Sequence, residues 1–285
     1  MNGLPDYEVV VAPTGAWTLF SWREMWDYRD LLALLVRRDY VTRYRQTLLG
    51  PLWYVLQPVA MTAVFWLVFG RFLGIPTNGV PAPLFFLSGL VVWNYFAQNV
   101  TVGGATFVNN AHVFSKVWFP RLIVPLATVV SNLLTVALQL VPFGAFLAYY
   151  KIFTDESAGL HIGWGILLVP VAIFHAALLS FGISLVVAAS TARFRDLIHL
   201  NQYVVQLWMF ATPVIYPLSR IPERWRWLEW ANPLCVPVET MRIALLGRGS
   251  LHVGPVLASG AMALALVLTG LAAFQRAERS AMDTV

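Results

Sequence analysis

The sequence is short of charge. Only 12% of its 285 residues are charged while 59% are hydrophobic, against about 25% charged in an average soluble domain. That excludes an ordinary water-soluble fold and reads as a multi-span membrane protein. Lysine is scarcer still. Lys116 and Lys151 are the only two, so arginine carries the net charge of +5. The arginines sit beside apolar runs, which points to anionic lipid headgroups rather than nucleic acid. A single cysteine, Cys235, excludes an intrachain disulfide and a cysteine metal cluster. Neither lysine stands in the Gly-Lys-Ser/Thr context of a phosphate-binding loop, so any ATP hydrolysis belongs to a separate chain. No Asp or Glu falls within a run long enough to cross a bilayer. The carboxylate ladder of a proton-coupled transporter is therefore missing. His175 is the one ionisable group well inside such a run, and a lone histidine there suits a helix-packing hydrogen bond. His112, His161, His199 and His252 are scattered at run edges without metal-ligand spacing. The first twenty residues hold Asp6 and Glu8 and no apolar core, so no cleavable signal peptide is expected.

What the sequence has is apolar length. Six runs of spanning size fall at about 52–72, 83–104, 122–150, 163–190, 199–217 and 252–274. A helix of about 20 residues crosses a ~30 Å hydrocarbon core. The first run follows Gly50-Pro51 and contains Pro58, which predicts a turn and then a kinked helix. In the fourth, Ala176, Ser180, Ser184 and Ala188 form a stripe of small residues that lets a second helix come close. Residues 105–120 are polar enough to leave the bilayer as a short helix, and 151–161 form a polar loop.

Before the first run, residues 21–48 predict an amphipathic helix on the membrane surface. Trp22, Trp26, Ala33, Val36, Tyr40 and Tyr44 mark its apolar side, opposite Arg23, Asp27, Asp30, Arg37, Arg38 and Arg45. With six spans both ends share one side. The segments on that side hold twelve Lys or Arg and the opposite segments seven, five of them in one long loop. That bias places both termini in the cytoplasm. The long segment 218–250 is too charged to span. It predicts two short helices, split at Asn232-Pro233, that dip partly into the outer leaflet. The organisation is a tail and interface helix over 1–50 and a six-span domain over 51–285.

Aromatic residues crowd the runs. Trp53, Phe65, Trp66, Phe86, Trp93, Tyr203, Trp208 and Tyr216 are candidates for a substrate pathway. Uncharged flat faces suit a cargo that slides, as sugar rings do.

Several stretches together resemble the membrane subunit of polysaccharide-exporting ABC transporters, of the type that moves O-antigen, teichoic acid or capsule. They are RDLLALLVRRDYVTRYRQTLLGPLWYVLQP, FSKVWFPRLIVP, ARFRDL, TPVIYPLSRIPERWRWLEWANP and VETMR, in that order over residues 29–242. The resemblance implies an all-α integral membrane fold of the type-2 ABC exporter architecture. It has six transmembrane helices, an interfacial helix before the first, and re-entrant outer helices between the fifth and sixth. It implies a homodimer with the channel along the two-fold axis, in the bacterial inner membrane. It also implies two copies of an ATPase subunit, which bind ATP and Mg, so this chain holds no cofactor. The cargo would be a lipid-linked glycan. Phe114, Ser115, Lys116, Arg193, Phe194, Arg195 and Asp196 are then candidate ATPase contacts. Arg37, Arg38, Arg43 and Arg45 are candidate contacts for the lipid diphosphate.

Three other functions compete. A drug or small-lipid exporter of the same superfamily shares the six spans. A membrane-embedded transferase would need carboxylates or histidines clustered at one face, which the sequence lacks. A scaffold without transport is the third.

Overall fold

A computed structural model describes residues 22–44, 50–154 and 163–282. All regular structure among them is helical. Two surface helices, α1 (Trp22–Asp27) and α2 (Arg29–Tyr44), precede the bundle. The chain turns at Gly50, whose φ of 49° suits a residue without a Cβ. It then enters α3 (Trp53–Phe65), which widens into a π-helical turn at Trp66–Phe72. Next come α4 (Ala82–Gly104), the single turns α5 (Thr106–Asn109) and α6 (Ala111–Phe114), and α7 (Ile123–Phe153). The rest comprises α8 (Leu168–Arg193), α9 (Leu197–Ala211), α10 (Trp227–Ala231), α11 (Cys235–Leu246) and α12 (Val253–Met282).

Among the described residues, four helical stretches are long and apolar enough to cross a membrane: Trp53–Phe72, Ile123–Phe153, Trp164–Arg193 and Val253–Ser280. The other two long elements differ for physical reasons. The 23 residues of α4 reach about 34 Å, but Asn94, Gln98, Asn99 and Thr101 break its apolar run. The 15 residues of α9 reach about 22 Å, short of a ~30 Å hydrocarbon core. The sequence predicts that element out to 217, and the helix stops six residues earlier. Thr212-Pro213 and Tyr216-Pro217 end it, because proline lacks the donor and forces the preceding residue out of helical conformation.

Side-chain bonds show how the helices alternate. At one end, here the near end, the Thr191 hydroxyl at the close of α8 donates to the Gly104 carbonyl at the close of α4, at 2.7 Å. Phe107 packs on Phe274 of α12, with ring centroids 4.6 Å apart. At the far end, Asn78 after α3 bonds Ser219 after α9 at 3.3 Å. So α3, α7 and α9 run one way, and α4, α8 and α12 the other.

The bundle is centred on α8, which touches α4, α7, α9, α11 and α12. Its predicted small stripe is buried at Ala176, Ser180, Ser184 and Ala188. A Cβ on Gly103 of α4 would lie 2.9 Å from the Ser184 Cβ. On another side of α8, a Cβ on Gly270 of α12 would meet the Gly182 carbonyl oxygen at 2.6 Å. Polar side chains join the same helices. Asn132 of α7 donates to Asn99 of α4 at 2.6 Å, and Asn99 donates to Ser180 of α8 at 3.0 Å. His175 of α8 makes the helix-packing bond expected of it, to Ser259 of α12 at 2.9 Å. Ser259 donates its own hydrogen to the Pro233 carbonyl, so the ring nitrogen is the donor to Ser259.

The surface helix packs differently from the expected pattern. Met25, Tyr28, Leu31, Leu32, Leu35 and Val36 turn toward Phe119, Ile123, Val124 and Ala127 at the start of α7. Trp26 is 70% exposed, and Ala33 is exposed with it. The buried positions keep one helical period through Tyr28, so the whole face is rotated by about one residue from the Trp22–Trp26–Ala33 side toward the leucines that fit the start of α7. Ser131 of α7 donates to Asp39 at 3.3 Å, so the acid faces the bundle.

Close approach at α8 and α12 gives a direct test. Gly270→Ala forces a Cβ into backbone. The apparent thermal midpoint of the detergent-solubilised protein should fall by the equivalent of about 1–3 kcal/mol. Gly144→Ala, where a Cβ meets nothing within 4 Å, should leave it unchanged.

Candidate functional site

The eight aromatic candidates separate into distinct environments. Phe65, Phe86 and Trp93 are buried in the bundle core, Phe86 edge-on to both Phe65 and Phe85. Trp208 is half-buried, and its indole donates to Asn232 at 3.2 Å. Tyr216 is half-buried, and its hydroxyl donates to the Phe210 carbonyl at 3.4 Å. Trp53, Trp66 and Tyr203 are open. Trp53 and Trp66 belong to an exposed apolar face on α3 with Leu56, Val64 and Leu67. Tyr203 belongs to one on α9 with Leu200, Leu207 and Phe210.

A polar groove of about 550 Å³ lies between α3, α4 and α7, toward the near end. Gln57, Asn94, Gln98, Thr101, Thr135 and Gln139 line it. Trp53 and Tyr54 also border it. Among the described residues no charged side chain lines it. Asn94 donates to Gln139 at 3.3 Å. Sequence reading for aromatics and charges missed this groove, because amides spread over three helices leave no local signal.

The ATPase-contact candidates all lie at the near end. Ser115, Lys116, Arg193, Phe194, Arg195 and Asp196 are exposed. Phe114 is half-buried against Phe107 and Phe119, at centroid distances of 6.0 and 5.6 Å. The Arg193 guanidinium sits 5.2 Å over the Phe194 ring. The bond from Thr191 to Gly104 brings the two segments to one end. Of the lipid-diphosphate candidates, Arg37 and Arg38 are exposed on α2, and Arg38 pairs with Asp39 at 3.1 Å. The Arg43 side chain and Arg45 lie outside the described residues.

The far end holds a buried ion pair that the sequence pattern did not mark. The two short helices split at Asn232-Pro233 are there as α10 and α11, and α11 is interior to the protein. It packs on α4 and α8 with nearly every residue buried. Arg242 is 2% exposed and pairs with Glu239 at 3.2 Å. It also donates to the Val214 carbonyl at 2.9 Å and lies 3.9 Å over the Phe85 ring. Burial pushes the Arg242 pKa down, and Glu239 opposes that shift. Gly249 has φ near 148° and packs against Glu239, and the Ser250 amide donates to that carboxylate. Asn232 fastens this unit to the end of α9 through Ala211, Thr212 and Trp208. The signal was the i,i+3 spacing of Glu239 and Arg242, which also fits an exposed helix face.

Residues 30–246 match the ABC-2 type transporter family model. The chain belongs to that family. It is 33% identical over 202 residues to the O-antigen export system permease protein RfbA of Myxococcus xanthus, covering 70% of this chain and 74% of that one. RfbA of Klebsiella pneumoniae is 27% identical over 247 residues, 87% of this chain and 92% of the relative. The polysialic acid transport protein KpsM of Escherichia coli is 25% identical over 221 residues, covering 74% and 80%. The ABC-2 match spans the groove, the near-end patch and the buried ion pair alike. This is a multi-pass membrane protein of a transporter family, as its apolar helices require.

Arg242→Met leaves the Glu239 carboxylate buried without its cation. It should cost about 3–5 kcal/mol and appear as lost yield of folded protein in detergent. Pairing it with Glu239→Met should restore much of that yield, because no charge is then stranded.

Proposed function

We propose that this chain is the permease subunit of an ATP-driven exporter that moves a lipid-linked polysaccharide across the bacterial cytoplasmic membrane. The observation that carries the reading is the near full-length similarity to O-antigen export permeases, backed by two polysaccharide systems among the relatives. The drug or small-lipid exporter has no counterpart among those names.

In this reading two copies meet about a two-fold axis, the commonest closed assembly. The uncovered apolar faces of α3 and α9 support that arrangement and would flank the channel. All six alternating helices then count as spans, with α9 completed at its outer end by the segment after Ala211. The near end is cytoplasmic, because twelve of the cationic residues belong to it. Each permease binds one ATPase chain there, through Phe114, Ser115 and Lys116 and through the turn Arg193 to Asp196. Both segments are short and joined to the close of α4 and α8, so a push at the patch is transmitted to two long helices. Arg37 and Arg38 would meet the lipid diphosphate at the membrane surface, with Arg43 and Arg45 following them in sequence.

The test is co-purification with the neighbouring-gene ATPase after tagging only one partner. A two-plus-two complex with lipid-dependent ATP hydrolysis is expected. Combining Lys116→Glu with Arg195→Glu should reduce the recovered ATPase about tenfold while the permease still elutes as a folded species. Failure of every neighbouring ATPase to bind the unaltered chain would overturn the reading.

A further inference from the structure

The groove between α3, α4 and α7 has a chemistry unlike that of the open apolar faces of α3 and α9. It lies beside the first turns of α3, and Gln57, Thr135 and Gln139 in its lining belong to two of the stretches long and apolar enough to cross a membrane. Gln57, Gln98 and Thr101 make no side-chain hydrogen bond to another described residue. In hydrocarbon an unsatisfied amide costs several kcal/mol, so these groups need water or a polar ligand. Each amide is donor and acceptor at once, as is each sugar hydroxyl. Every described lining side chain is uncharged, which suits a neutral ligand. Trp53 and Tyr54 add flat faces on which the C–H edge of a sugar ring packs. At about 550 Å³ the groove falls in the ~300–1,000 Å³ range of small-molecule sites.

We infer that this groove binds neutral sugar residues of the lipid-linked glycan next to its lipid anchor, as an entry site distinct from the channel. The inference rests on the export function proposed above. The position fits the ligand's own polarity. The surface helix that carries Arg37 and Arg38 touches the turn at Gly50–Leu52, which leads into the groove. A diphosphate held on that helix would leave its first sugars within reach of Gln57 and Gln98. The groove would thus select a sugar-bearing carrier over the bare lipid before any transport step.

A photo-crosslinking residue placed at Gln98, and in a second variant at the exposed rim residue Val102, tests this. A third variant carries it at Tyr203 on α9. Each is assembled with the ATPase in vesicles containing a polyprenyl diphosphate bearing a neutral trisaccharide. Adducts at 98 and 102 are expected. They should fall about tenfold with bare polyprenyl diphosphate, and by a similar factor on adding Gln57→Leu, as loss of one or two hydrogen bonds requires. Equal adducts from the bare carrier would overturn the inference, since lipid rather than sugar would fill the groove. An adduct at 203 but none at 98 or 102 would also overturn it and leave the exporter intact. No adduct at any of the three positions, with no export, would sink both.

Discussion

A bilayer removes the hydrophobic drive between helices, because lipid tails are as apolar as leucine. What remains is close packing and hydrogen bonding, and in this permease both converge on α8. Its small residues admit α4 on one side and α12 on another, with backbone separations that a single methyl group would disturb at Gly103, Gly182 and Gly270. Ser180 and His175 then lock the approach with directed bonds. Packing fixes the distance and the hydrogen bonds fix the register. Every other element is placed relative to that core, including α11, which fills the space left at the far end between α4 and α8.

Much of this was legible in the sequence, and for identifiable reasons. Long uncharged runs have few alternatives to helices, so each expected run overlaps one long helix, although α9 stops six residues short of 217 and α12 runs eight residues past 274. The stripe from Ala176 to Ala188 is visible as a four-residue repeat, and His175 as a lone polar group in need of a partner. Exposure was harder to read. Trp93 and Phe86 are as aromatic as Trp53, and only the tertiary arrangement separates a packed ring from an open one. The face of the surface helix was misjudged, since tryptophan and tyrosine marked one side while the leucines one residue away are the ones that pack on α7. The Glu239–Arg242 pair looked like ordinary surface charge, because i,i+3 pairs of opposite sign usually are. The groove was invisible for a different reason. Its amides come from 57, 94–98 and 139, and no local window contains them together.

The two ends of the bundle are built on opposite principles. The near end presents exposed cations and aromatic rings on short turns, a surface suited to a partner. The far end hides its strongest charge pair and ties α9, α10 and α11 together through Asn232. A buried charge pair is a costly way to gain stability, and its usual merit is to permit one arrangement only. Rigidity at that end and accessibility at the other suit a machine driven from one side of the membrane.

The length of α9 has a consequence for the lipid around it. At about 22 Å its helical part is some 8 Å short of the hydrocarbon it must sit beside. Such a deficit is met by thinning the bilayer locally or by covering the helix end with protein. The Asn232-fastened unit covers the end of α9 through Ala211, Thr212 and Trp208. Protein rather than thinned lipid therefore makes up the missing length on that side, and loosening Asn232 would pass the deficit to the bilayer.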